Sequence, residues 1–179
     1  MNKICNSFIY FFKNHFGSKL TLQKKTSNHS FSTLKIPKGF IDNGDGTVTD
    51  SVTGLMWKKC CEGHQTNKCI GNSKTFIVEQ LPNLIVAINH RDGFSNYNDW
   101  RYPTTDELES IAQLYLVNKF QNVFSNSPNG SYWSIYIDIY NKREDYVLIE
   151  LNNKRAGCRD PAHYGKKPGY VRLVRKIVK

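Results

Sequence analysis

The side chains best equipped for chemistry are five cysteines, five histidines and a run of cations near the C-terminal end. Cys60, Cys61, His64 and Cys69 lie close enough in sequence to offer four zinc ligands. Adjacent cysteines sit awkwardly on one tetrahedral centre, however, and the spacing matches no standard zinc knuckle. Cys158 and His163 would make a thiol and base pair, but the sequence offers no third group to orient them. A phosphate-cradling G-x-x-x-x-G-K-[ST] loop, an H-E-x-x-H helix and a G-x-S-x-G elbow are all missing. The expectation is a protein that binds rather than catalyses, with no cofactor and no metal.

Binding has a better candidate. Residues 152–169 read as a long polar loop in which Lys154, Arg155, Arg159, Lys166 and Lys167 face a single acid, Asp160, with His163 and Tyr164 between them. Arginine offers bidentate contacts to sulfate or carboxylate, and tyrosine offers a face to a sugar ring. These seven residues are the expected ligand contacts. Calcium-dependent sugar binding is disfavoured, because Leu81-Pro82-Asn83 and Ser127-Pro128-Asn129 lack the carboxylate of the Glu-Pro-Asn and Gln-Pro-Asp triplets. Asn43-Gly44-Asp45-Gly46 imitates the middle of a calcium loop, yet aligning Gly46 with the invariant glycine puts Ile41 and Val52 at the end ligands, and neither can coordinate.

The net charge of +10 is unevenly spread. Residues 1–41 hold seven lysines and no acid, whereas the remainder holds 18 basic against 15 acidic side chains. A nucleic-acid domain would concentrate its charge inside the folded part, so no specific nucleic-acid partner is expected. Residues 1–38 read as a basic aromatic leader and linker, and 39–179 as the folded domain. Ile4, Phe8, Phe11, Phe12, His15, Phe16 and Leu20 would share one face of a short helix, which predicts a peripheral membrane contact through residues 3–20, a targeting segment, or aromatics packed on the body. As a secretory signal the leader is poorly formed: Asn6 and Ser7 interrupt its apolar run, and no A-x-A-like site follows. The run Phe8 to Phe12 is far shorter than the roughly 20 residues of a membrane-spanning helix.

The elements that would position these groups begin near Phe40. Three short strands are expected, at Phe40-Ile41-Asp42, Thr47 to Asp50 and Leu55-Met56-Trp57, joined by Gly-rich turns. One or two helical pieces should fill 74–90, with Pro82 in a first turn, a helix from Asn83 to His90, and Leu84, Ile85, Ala87 and Ile88 on its buried face. Thr104 and Glu107 form an S/T-x-x-E capping box for a helix to about Leu116. Ser131 to Ile139, Tyr146 to Leu151 and Tyr170 to Val178 are aromatic and β-branched, and predict strands. Strands, two helices, then strands is an α+β pattern with a mostly antiparallel sheet.

The punctuation of this body is specific. Gly46-Thr47-Val48-Thr49-Asp50, Thr53-Gly54-Leu55-Met56-Trp57, Asp99-Trp100-Arg101-Tyr102-Pro103-Thr104 with Glu107-Leu108, Tyr132-Trp133-Ser134 and Tyr170-Val171-Arg172-Leu173-Val174-Arg175 occur in order. Over about residues 39–176 the chain resembles the domain family typified by the C-terminal domain of the Legionella collagen-like adhesin, departing from it at Tyr102, where Leu is usual, and at Ile135, where a second Ser is common. The resemblance implies a C-type-lectin-like fold, related in architecture to the formylglycine-generating enzymes. It implies a surface or secreted binding module whose ligand is an anionic, sulfated glycan or a protein on a host or other cell surface. It also implies a disulfide between Cys60 and Cys69, with a second bridge between Cys61 and Cys158 left open. Two other classes compete: an enzyme on the formylglycine-generating architecture, and a secreted effector whose tail contacts membranes. Trp57, Trp100 and Trp133 are expected core anchors, and Arg101 is expected to pair with a carboxylate or carbonyl.

Overall fold

The computed structural model describes residues 39–64, 67–116, 119–138, 140, 142–151, 156–160 and 167–177, with backbone alone for 116 and 156–160. The expectations placed on residues 1–38 lie outside these. In chain order the described residues form β1 (Phe40–Asp42), β2 (Thr47–Asp50), β3 (Leu55–Lys58), β4 (Thr75–Phe76), a 3-10 turn (Val78–Gln80), α1 (Leu81–Ile88), α2 (Thr105–Leu116), α3 (Phe120–Val123), β5 (Gly130–Asp138), β6 (Arg143–Leu151), β7 (Ala156–Asp160), β8 (Gly169–Tyr170) and β9 (Val174–Lys176).

Local side-chain chemistry makes the opening meander. The Asp42 carboxylate accepts from the Gly44 amide at 3.1 Å, and that of Asp45 from the Thr47 amide at 2.9 Å. Gly44 and Gly46 take φ of 80° and 90°, where a side chain would be strained. At the next turn Asp50 accepts from the Val52 amide and the Thr53 hydroxyl. β9 then pairs antiparallel with β3, giving a sheet ordered β1-β2-β3-β9. The second sheet runs β4-β8-β5-β6-β7 and is antiparallel except at the Tyr132–Tyr170 bridge between β5 and β8. The fold is α+β, as expected.

Helix α2 starts where the capping box places it. Thr104 Oγ1 accepts from the Glu107 amide at 3.2 Å, and Glu107 Oε2 accepts from the Thr104 amide at 2.8 Å. Arg101 adds two guanidinium bonds of 2.7 Å to the same carboxylate. Burial alone would raise the Glu107 pKa, but the Arg101 guanidinium and the Thr104 groups outweigh it and hold the carboxyl below its usual range. The three tryptophans are all fully buried. Trp100 and Trp133 sit in one cluster with Met56, Leu81, Tyr102, Leu148, Val171 and Leu173, which joins residues of both sheets and α1. Each such side chain removed from water contributes roughly 1.5–3 kcal/mol.

Four expectations need correction. A third helix, α3, and the 3-10 turn add to the two expected helices, because a single turn is too short to leave a periodic pattern. Helix α1 begins at Leu81 rather than Asn83 and ends at Ile88; the Asn89 side chain bonds the Trp100 backbone at 2.7 and 3.0 Å, which ties down the exit. Its Ala87 is exposed, and Leu81 is its deepest residue. The expected strand from Tyr170 to Val178 is two strands in different sheets, with Val171 to Leu173 between them.

Candidate functional site

The expected contact loop is not one loop. Its centre, Ala156–Asp160, is strand β7, the edge of the second sheet, paired antiparallel with β6 so that Ile149 faces Arg159 and Leu148 faces Asp160. Local propensity for this Ala-Gly-Cys stretch is low, but the open edge of the nine-residue β6 supplies pairing partners that override it. Helix α2 lies against β7. Lys154, Arg155, His163, Tyr164 and Lys166 lie outside the described residues. Arg159 is placed by its backbone only, and Lys167 is exposed just before β8.

The disulfide does form: Cys60 and Cys69 are joined with their Cα atoms 5.1 Å apart. It takes two of the four groups of the zinc arrangement considered above. Cys61 is a buried free thiol, so it makes no bridge with Cys158. The small ring closed by the disulfide is fastened from two sides. His64 Nε2 lies 2.7 Å from Ser73 Oγ and Nδ1 lies 3.3 Å from the Ile70 carbonyl. Since a carbonyl only accepts, Nδ1 carries a proton, and in the neutral ring Nε2 accepts from the serine hydroxyl. Asn126 Nδ2 donates to the Cys69 carbonyl at 2.9 Å.

The segment that follows this ring forms one wall of a polar pocket of about 670 Å³, within the roughly 300–1,000 Å³ range of small-molecule sites. Asn72 and Ser73 come from the segment after Cys69, Gln121, Asn126 and Ser127 from α3 and the turn that follows it, and Tyr170 from β8. Gln121 clamps the turn by donating to the Ser127 carbonyl at 2.7 Å and accepting from its amide at 3.3 Å.

Behind Ser127 stands Arg172, fully buried. Its guanidinium donates to the Lys58 carbonyl at 2.7 Å, the Lys59 carbonyl, Ser127 Oγ and Cys61 Sγ at 3.1 Å, and lies 4.4 Å from the centre of the Phe124 ring. Cys61 in turn donates to the Tyr132 hydroxyl, which donates to the Pro128 carbonyl at 2.7 Å. Burial foremost raises the Tyr132 pKa well above its ordinary value, and pushes the Tyr115 phenol up to about 12. Both hydroxyls therefore act as fixed donors at neutral pH.

Sequence reasoning missed this pocket. Its walls are more than 40 residues apart in the chain, and the Asn126 to Cys69 bond behind them spans 57 positions. The one available signal was Arg172 within the Tyr170 to Arg175 run, a cation among residues that otherwise alternate toward a core.

No curated protein and no solved structure gives a significant match to the chain. A family model, the Lcl C-terminal domain, matches residues 46–175. That span takes in β2 and β3, the disulfide ring, the capped helix and the buried arginine, and on this match the chain belongs to the Lcl C-terminal domain family.

Proposed function

We propose that the body is a non-catalytic binding module of a surface or secreted protein, and that it holds an anionic, sulfated glycan. The carrying observation is the run of cations that the sequence places in and beside edge strand β7: Lys154, Arg155, Arg159, Lys166 and Lys167 against Asp160. A sheet edge is open on one side, so cations there meet a long polyanion without a neighbouring strand in the way. Family membership and the disulfide, a bond that persists in oxidising compartments, support the surface assignment. The C-type-lectin-like architecture belongs to the same proposal, supported by an α+β body whose first and last strands share one sheet.

The test is heparin binding across a salt series, with the five cations replaced by neutral residues in the comparison variant. Exposed charge contacts contribute roughly 0.2–1 kcal/mol each, so the variant should bind at least about fivefold more weakly. The wild-type affinity should fall as salt rises. Heparin binding untouched by the substitutions would reject β7 as the contact, and no heparin binding at all would reject the anionic ligand.

A further inference from the structure

We propose that the pocket between the segment 71–73 and the α3 turn is a subsite for one uncharged sugar residue. The inference deepens the glycan-binding reading, and rests on it only in taking the ligand to be a saccharide.

The lining decides the ligand class. In a chain of net charge +10, none of the described residues lining this pocket is charged. Arg172, which stands behind Ser127, already directs its Nη groups at two carbonyls, a hydroxyl and a sulfur. An ionised ligand would find no counter-charge among these residues. A wholly apolar ligand would leave amides and hydroxyls facing it unpaired. A pyranose suits both limits, since each of its hydroxyls donates and accepts and its ring has an apolar C–H face.

The donors and acceptors are suitably arranged. Among the described residues the Asn72 amide and the Tyr170 hydroxyl make no hydrogen bond, so both are available to a ligand. Ser73 directs its proton to His64 and thereby offers lone pairs to a sugar O–H. Asn126 uses its Nδ2 on Cys69, which leaves its carbonyl oxygen. The Tyr170 ring supplies the apolar surface. It packs on Tyr132 with centroids 5.5 Å apart, and the absence of a side chain at Gly130 makes room for it, since a Cβ there would come within 3.1 Å of the ring. The walls are held before any ligand arrives: the disulfide, the His64 bonds and the Gln121 clamp each fix one of them. Preorganised walls lessen the ordering that weak ligands must otherwise induce.

The experiment is saturation-transfer NMR on the full chain with methyl glycosides of glucose, galactose, mannose and N-acetylglucosamine, at about 0.15 M and 0.5 M salt. At least one glycoside should receive saturation, with an affinity that salt does not change. Asn72→Ala alters an exposed residue and Tyr170→Phe keeps the ring, so both should fold, which circular dichroism checks. Each should weaken the glycoside about fivefold, the equivalent of one net hydrogen bond, while leaving heparin binding as it was. Failure of every glycoside to bind, or binding unchanged in both variants, overturns the subsite even if heparin binds. Glycoside binding lost in the variants, with heparin never binding, sustains the subsite and rejects the anionic ligand instead.

Discussion

Reducing the Cys60–Cys69 bond should both destabilise the body and loosen the pocket. The two cysteines are nine positions apart, and closing a ring of about ten residues removes about 9 cal/mol/K from the unfolded chain, or about 2.7 kcal/mol at 25 °C. For a domain of this size each kcal/mol moves the melting temperature by roughly 2–4 °C, so reduction should lower it by about 5–10 °C. Thermal unfolding followed by circular dichroism, with and without reductant, measures this directly, and reduction avoids the cavity that a Cys→Ala pair would leave. Cys61 is already a free thiol and contributes to neither arm. Hydrogen exchange should rise at Gly71, Asn72 and Ser73, since the ring anchors that segment through the Cys69 and Ile70 carbonyls. A shift below about 2 °C would refute the loop-closure account. A full shift with unchanged exchange at 71–73 would show that His64 and Asn126 hold the wall without the disulfide.

Arg172→Leu leaves the Lys58 and Lys59 carbonyls and Ser127 Oγ without their donor, and should destabilise by about 3–5 kcal/mol in chemical denaturation; a variant as stable as the wild type would mean that desolvating the guanidinium offsets all its bonds. Asp42, Asp99 and Glu107 are each held below the usual carboxylate range, Asp99 chiefly by Arg175 and the other two by cationic and amide partners that outweigh burial. A lowered folded pKa adds stability that is present above the unfolded value of roughly 4 and lost as pH falls through the folded one, so the melting temperature should hold from neutral pH down to about 5 and drop below about 4. Glu107→Gln should flatten part of that acid limb. Gly93→Ala should be severely destabilising, because φ is 65° and the new Cβ would lie 1.9 Å from the Tyr97 carbonyl oxygen; an unchanged melting temperature would show that the 90–97 turn can rearrange freely.

Features built from neighbouring residues were the legible ones. The meander is written in Asn43-Gly44-Asp45-Gly46 and Asp50 to Gly54, where the Asp42, Asp45 and Asp50 carboxylates each accept from the backbone N–H two positions on. The start of α2 is written in Thr104 and Glu107, and the Cys60–Cys69 pairing in a resemblance spread over most of the chain. What stayed hidden depends on distant partners. β7 exists because β6 has an open edge, not because Ala156 to Asp160 favour extension. Likewise β-branched residues from 170 to 178 announce extended chain but not a change of sheet, which turns on Leu55 to Trp57 and Thr75–Phe76 waiting on different sides. The pocket is hidden for the same reason, as a meeting of the segment near 72, the turn near 126 and Tyr170.

The placement of β8 and β9 bears on how the chain is made. β8 lies between β4 and β5, and β9 borders β3 with Leu55 opposite Lys176, so neither sheet is complete until residues 169–176 have been made. Arg172, which ties the segment 58–61 to Ser127, also arrives only then. The pairing of β3 with β9 therefore joins segments more than a hundred residues apart, a long-range contact of the kind that slows folding. A chain that stopped at residue 168 would lack β8, β9 and Arg172 together, leaving unpaired strand edges that favour aggregation over a smaller working fold.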